Sequence, residues 1–141
     1  MQTVQSILNE IKSGKTYPIY FLMGEESFFI DQISSYIETS VLEDAERGFD
    51  QTVIYGKDTS IDAIVSSAKR FPMMASQQLI IVKEAQNLSR TIDQLLPYAQ
   101  NPQLTTILVF CYKYKTIDKR KALYKALSKA HVVFESKKVY D

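Results

Sequence analysis

The stretch Pro18-Ile19-Tyr20-Phe21-Leu22-Met23-Gly24-Glu25-Glu26-Ser27 decides the fold. Its apolar run, opened by a proline and closed by a glycine, predicts a strand with no wet face. Beyond the glycine, Ser27 is placed to cap a helix carried by Phe28, Phe29, Ile33, Ile37 and Val41. A buried strand that passes through a short loop into a helix is the opening unit of an α/β domain.

The same alternation continues in both directions. Upstream, Val4, Ile7, Leu8 and Ile11 fall at helical spacing, which predicts an amphipathic helix over residues ~3–13, stopped by Gly14. Downstream, Thr52 to Tyr55 predict a strand ending at Gly56, and Ile61, Ile64 and Val65 a helix that starts near Ser60. Then come a strand at Leu79 to Val82, a helix at Ile92 to Tyr98 and a strand at Thr106 to Phe110. A helix at Lys119 to Ala130 and a strand at Val132 to Phe134 complete the series. Solidly apolar strands alternating with helices predict a three-layer, doubly wound α/β domain with a parallel five-stranded sheet covered on both faces. A single domain is expected over residues 1–141, with residues 136–141 turning charged as the start of a linker.

Composition narrows the function. The chain has 141 residues, is 45% hydrophobic and 23% charged, and holds one cysteine and one histidine. Cys111 alone rules out an internal disulfide and suits a reducing cytoplasm, and with His131 it cannot build a Cys/His zinc site. No apolar stretch approaches a membrane span, so no membrane partner is expected. The net charge of +1 conceals a segregation: residues 1–112 carry 8 Lys/Arg against 13 Asp/Glu, and residues 113–141 carry 9 against 3. The basic end invites a nucleic-acid reading.

Ser13-Gly14-Lys15-Thr16 ends like a phosphate-binding loop but fails as one. Position 9, where the motif needs glycine, is Asn, and a helix precedes where a strand should. The topologically correct loop is Gly24-Glu25-Glu26-Ser27, which has one glycine, no lysine and two carboxylates that would repel a triphosphate. After the strand at Leu79 to Val82, an ATPase would place a magnesium-binding Asp, and this chain has Lys83. The domain is therefore expected not to be an ATPase, and no cofactor or metal is expected. Nor do Cys111 and His131 make a convincing nucleophile–base pair.

Four stretches in register resemble one family. They are Tyr20-Phe21-Leu22-Met23-Gly24-Glu25-Glu26 followed by Phe28, Ile30 and Asp31; Phe71-Pro72-Met73-Met74-Ala75-Ser76-Gln77-Gln78 running into Leu79 to Val82; Tyr98, Asn101 and Pro102 before Thr106 to Val109; and Ile117-Asp118-Lys119-Arg120-Lys121-Ala122-Leu123-Tyr124-Lys125-Ala126-Leu127. Together they look like the delta subunit of the bacterial DNA polymerase III clamp loader, from about Tyr20 to Glu135. The resemblance implies a RecA-like or AAA+-like P-loop NTPase fold without a functional Walker A motif. It implies a cytoplasmic, non-catalytic replication subunit that binds the sliding clamp (the beta subunit) and helps open the ring. The implied partners are the delta-prime and gamma/tau subunits and, through the complex, primed DNA.

The family's clamp contact is two consecutive hydrophobic residues after the helix that precedes the third strand. Here those positions are Met73 and Met74, with Phe71 and Pro72 beside them. The family more often has a Leu-Phe type of pair, so Met-Met is a departure; methionine is flexible and polarizable but lacks a rigid aromatic anchor. Pro72 disfavours helix at Phe71 and would project the pair outward. The competing reading is that Phe71, Met73 and Met74 plug the core.

Lys121, Lys125 and Lys129 recur every four residues and so share a helix face, preceded by Lys113, Lys115, Lys119 and Arg120. Lys119, Arg120, Lys121, Lys125 and Lys129 are candidates for DNA or subunit contact; a solvated face opposite Leu123, Ala126 and Leu127 is the plainer reading. Tyr112, Tyr114 and Tyr124 are the nearest aromatic residues, with Tyr124 expected to pack rather than stack on bases. The alternative function is thus a nucleic-acid-binding module using residues 113–129.

Overall fold

Ile19, Phe21 and Met23 pack into one buried layer, and Tyr20 and Leu22 into the layer on the other side of the sheet. The period of two explains why the run is apolar throughout, since every side chain has a core to enter. The same holds for Ile80 and Val82 against Leu79 and Ile81, and for Leu108, Phe110 and Tyr112 against Ile107, Val109 and Cys111. Each such fully buried Ile, Leu or Phe contributes about 1.5–3 kcal/mol.

The computed structural model describes residues 2–138. The elements are α1 (Val4–Lys12), β1 (Ile19–Gly24), α2 (Ser27–Ser40), α3 (Asp44–Asp50), β2 (Gln51–Tyr55), α4 (Ile61–Ala68), β3 (Gln78–Lys83), α5 (Leu96–Gln100), β4 (Thr106–Lys113), α6 (Ala122–Ala130) and β5 (Val132–Ser136). Short 3-10 stretches cover Gly56–Asp58 and Ala85–Leu95. All strand pairings are parallel and the order is β2-β3-β4-β1-β5. Helices α1 and α2 cover one face; α4, the 3-10 stretch, α5 and α6 cover the other. This is the expected three-layer, doubly wound sheet. Because β1 lies between β4 and β5, its C-terminal loop emerges beside the ends of both, at the switch point of the sheet.

Several expectations need correction. Helix α3 has no apolar stripe, its one buried residue being Asp50, so periodicity could not reveal it. The cap of α2 is Glu26, whose carboxylate accepts the Phe28 N–H at 3.2 Å, and Ser27 is the first helical residue. The helix expected at Ile92 to Tyr98 is a 3-10 stretch that turns α only at Leu96, with Pro97 tolerated in the first turn, where its missing N–H is not needed. Helix α6 begins at Ala122 instead of Lys119, because the Asp118 carboxylate accepts the Arg120 N–H and Lys121 is extended. His131 closes α6 and precedes β5. Of the expected linker, residues 139–141 lie outside the described residues.

Candidate functional site

Three places were singled out by the sequence, and the fold treats them differently. At the loop after β1, Gly24 has φ +122, and its backbone runs against Ser136 at the end of β5. The Gly24 N–H donates to Lys115 O at 3.0 Å and the Glu25 N–H to Ser136 O at 2.9 Å. The Ser136 hydroxyl donates to Glu26 O at 2.5 Å. With Phe28 N–H capped by Glu26, the donors of Gly24, Glu25 and Phe28 are all satisfied within the chain. A phosphate-binding loop works by presenting such groups to an anion; here a carboxylate already sits at the helix start.

Beside this loop, Lys113 Nζ lies 2.8 Å from Asp31 and 3.4 Å from Glu84. Burial works against the lysine charge, but the two carboxylates outweigh it and hold its pKa above the ordinary value. Glu84, which follows β3, adopts a left-handed conformation with φ 51. Among the described residues no group of three or more His, Cys, Asp or Glu side chains could hold a metal ion. Cys111 is buried, and burial pushes its thiol up to about 11. His131 Nε2 lies 2.9 Å from Ala99 O, so that nitrogen carries the proton. Burial is the main cause of its lowered pKa. Neither residue hydrogen bonds to the other, and each has a structural place.

The second place is the segment between α4 and β3. Phe71, Met73 and Met74 are 73%, 79% and 56% exposed, so they do not plug the core; Pro72 is half-buried between them. The segment from Phe71 to Gln77 forms no helix or strand, yet both flanks are tied down. The Gln78 amide donates to Ser67 O at 3.0 Å and Arg70 O at 2.7 Å, and the Thr106 hydroxyl to Ala68 O at 2.6 Å. These bonds satisfy carbonyls that the end of α4 leaves open.

The middle is held by Asp50, the last residue of α3, which is only 4% exposed. Its Oδ1 accepts the Met73 N–H at 2.5 Å; its Oδ2 accepts those of Met74 at 2.8 Å and Ala75 at 2.6 Å. The Ala75 N–H above all, with those of Met73 and Met74, holds the carboxyl below its ordinary pKa in spite of burial. Helix α3 is itself pinned to the end of α2: the Arg47 guanidinium donates to Leu42 O and Thr39 O, and the Gln51 amide to Glu38 O. Phe49, which precedes Asp50 in α3, is a further exposed aromatic at 57%. Sequence reasoning reached Met73 and Met74 but not Phe49 or Asp50. They sit in a helix without periodicity, 23 or more residues away from the segment that Asp50 binds.

The basic residues are mostly engaged. Lys119 pairs with Glu135, Arg120 with Asp118 and Lys121 with Asp93, at 2.9–3.1 Å. Lys121 is the extended residue at the N-cap of α6, and its carbonyl accepts the Lys125 N–H at 3.2 Å. Lys125 and Lys129 are exposed, form no ion pair among the described residues, and flank a shallow cleft of about 550 Å³ with Ala99, Ala122 and Ala126. Tyr124 is half-buried against the core, as expected, whereas Tyr114 is exposed. No helix of the described residues is long and apolar enough to cross a membrane.

Comparison with known proteins agrees with this picture. The family model for the DNA polymerase III delta subunit matches residues 20–137. DNA polymerase III subunit delta of Bacillus subtilis is 27% identical over 96% of this chain and 42% of its own length. The solved DNA clamp loader delta protein of Bacillus subtilis superposes with a TM-score of 0.82 at 26% identity, over 97% of this chain and 43% of that one. A gamma subunit-related protein of DNA polymerase III from Thermotoga maritima shares the fold at a TM-score of 0.57 and 15% identity, over 99% of this chain and 47% of that one. Both structural likenesses agree with a RecA-like α/β fold. The chain spans less than half the length of the relatives it matches.

Proposed function

The chain belongs to the DNA polymerase III delta subunit family, and on that premise we propose that it is the clamp-binding domain of a clamp-loader delta subunit. Its work is to grip the ring-shaped sliding clamp and help open it for loading onto primed DNA. The observation that carries this reading is the exposure of Phe71, Met73 and Met74 on a segment that hydrogen bonds to Asp50 through three backbone N–H groups. Large apolar side chains kept out of the core on an anchored loop suit insertion into an apolar pocket of a partner. Two such anchors contribute about 2–4 kcal/mol on area grounds, enough for a hot spot.

On this reading residues 1–141 form the first domain of a longer subunit that works in the cytoplasm beside the delta-prime and gamma/tau subunits. It performs no catalysis, and ATP is hydrolysed by sibling subunits. The loop at Gly24 supports that division of labour, because the N–H donors of Gly24, Glu25 and Phe28 are bonded within the chain and Glu26 occupies the helix start. Opening the ring requires better binding to the opened interface than to the closed one.

A second reading, nucleic-acid binding through residues 113–129, rests on Lys115, Lys125 and Lys129, since Lys113, Lys119, Arg120 and Lys121 are already paired. Calorimetric titration of the chain into its cognate clamp, and separately into primed DNA, separates the two. The clamp reading expects saturable binding to the clamp, equal with and without ATP and Mg²⁺, and far weaker binding to DNA. Tight DNA binding with no clamp binding would reverse the assignment.

A further inference from the structure

We propose that Asp50 is a positioning residue for the clamp contact, a buried carboxylate latch that presents Met73 and Met74 in their binding conformation. The proposal rests on the reading of that pair as the clamp contact. Three consecutive N–H groups, those of Met73, Met74 and Ala75, converge on one carboxylate that is only 4% exposed. The segment has no ladder or helical bonds of its own, so this carboxylate does for it what secondary structure does elsewhere.

Only an ionised Asp can serve all three donors. It accepts at both oxygens and offers no proton, whereas Asn would turn an NH₂ toward one of the N–H groups. The latch is carried by α3, which Arg47 and Gln51 fix to the end of α2. Its position is therefore set by the body of the domain and not by the loop it holds. A segment ordered before the partner arrives loses less conformational freedom on binding, so affinity is gained without any contact between Asp50 and the clamp.

The test uses Asp50→Asn and Asp50→Ala. Amide hydrogen exchange should show Met73, Met74 and Ala75 protected in the native chain, and deprotected in both variants while β1, β3 and β4 stay protected. Clamp affinity should fall roughly tenfold for Asp50→Asn and further for Asp50→Ala. A residue acting through the pair should lose its effect when the pair is damaged, so Asp50→Asn placed on a Met73→Ala background should add little. The inference is overturned if the native amides of residues 73–75 exchange freely, if Asp50→Asn binds like the native chain, or if the two losses multiply. Should Asp50→Ala fail to fold, the native exchange pattern and the Asn variant still decide. A native chain that shows the protected amides but no clamp affinity would sink the clamp reading, and the positioning role with it, while leaving the latch as a structural fact.

Discussion

The backbone of Gly24 runs so close to Ser136 that a Cβ on the glycine would overlap the Ser136 carbonyl oxygen and lie 2.7 Å from its nitrogen. The contact locks the loop after β1 onto the end of β5, and φ +122 at Gly24 lies where side chains are strained in any case. In a nucleotide-binding domain this loop opens toward phosphate; here it closes on its own sheet.

Gly24→Ala should therefore destabilise the fold by about 3 kcal/mol or more, lowering the melting temperature by roughly 6–12 °C. Gly14 provides the control, because its φ of +90 is similarly restrictive but nothing lies within 4 Å of an added Cβ. Gly14→Ala should cost about 1–2 kcal/mol. Thermal unfolding of the two variants side by side checks the difference; equal losses would mean that the Ser136 contact is not what constrains Gly24.

Stability should also fall as pH drops below 6.5, the ordinary histidine value. Burial lowers the pKa of His131 in the folded chain, and its Nδ1 has no hydrogen-bond partner. The unfolded chain therefore takes up the proton first. The stabilisation is complete above 6.5, is lost as pH falls toward the folded pKa, and changes no further below it. His131→Gln should flatten the melting temperature between about pH 7 and 5. An unchanged slope in the variant would exclude His131 as its source.

Binding to DNA should be weak and only mildly sensitive to salt. With Lys115, Lys125 and Lys129 exposed and outside the ion pairs of residues 113–129, the slope of log affinity against log salt should be no steeper than about −3. Lys115→Ala/Lys125→Ala/Lys129→Ala should remove what binding there is. A slope several times steeper, measured by fluorescence anisotropy, would show that the ion pairs of Lys119, Arg120 and Lys121 open to phosphate.

Strands β1, β3, β4 and β5 were legible because each feeds two cores; Ile19 to Met23 and Ile107 to Phe110 leave no polar position to confuse the pattern. The edge strand β2 instead packs only Ile54 inward and leaves Val53 and Tyr55 exposed. The closed phosphate loop was legible as chemistry, since Glu25 and Glu26 stand where a lysine and glycines would be needed. The start of α6 was not, because Lys119, Arg120 and Lys121 have good helical propensity and only the Asp118 side chain, turning back on Arg120, withdraws them. The exposure of Met73 and Met74 could be argued only from resemblance and from Pro72, because two adjacent methionines carry no periodicity that says which way they face. Asp50 lay beyond sequence reading altogether. A charged residue buried by its bonds to a distant loop looks, in sequence, like any surface aspartate.

The most direct test is calorimetric titration of the cognate sliding clamp with the native chain and with Met73→Ala/Met74→Ala. Both side chains are exposed, so the variant should unfold within about 0.5 kcal/mol of the native chain. Its clamp affinity should fall roughly 30- to 700-fold, the equivalent of 2–4 kcal/mol. A folded double variant that binds the clamp as tightly as the native chain would contradict the assignment of this pair as the clamp contact.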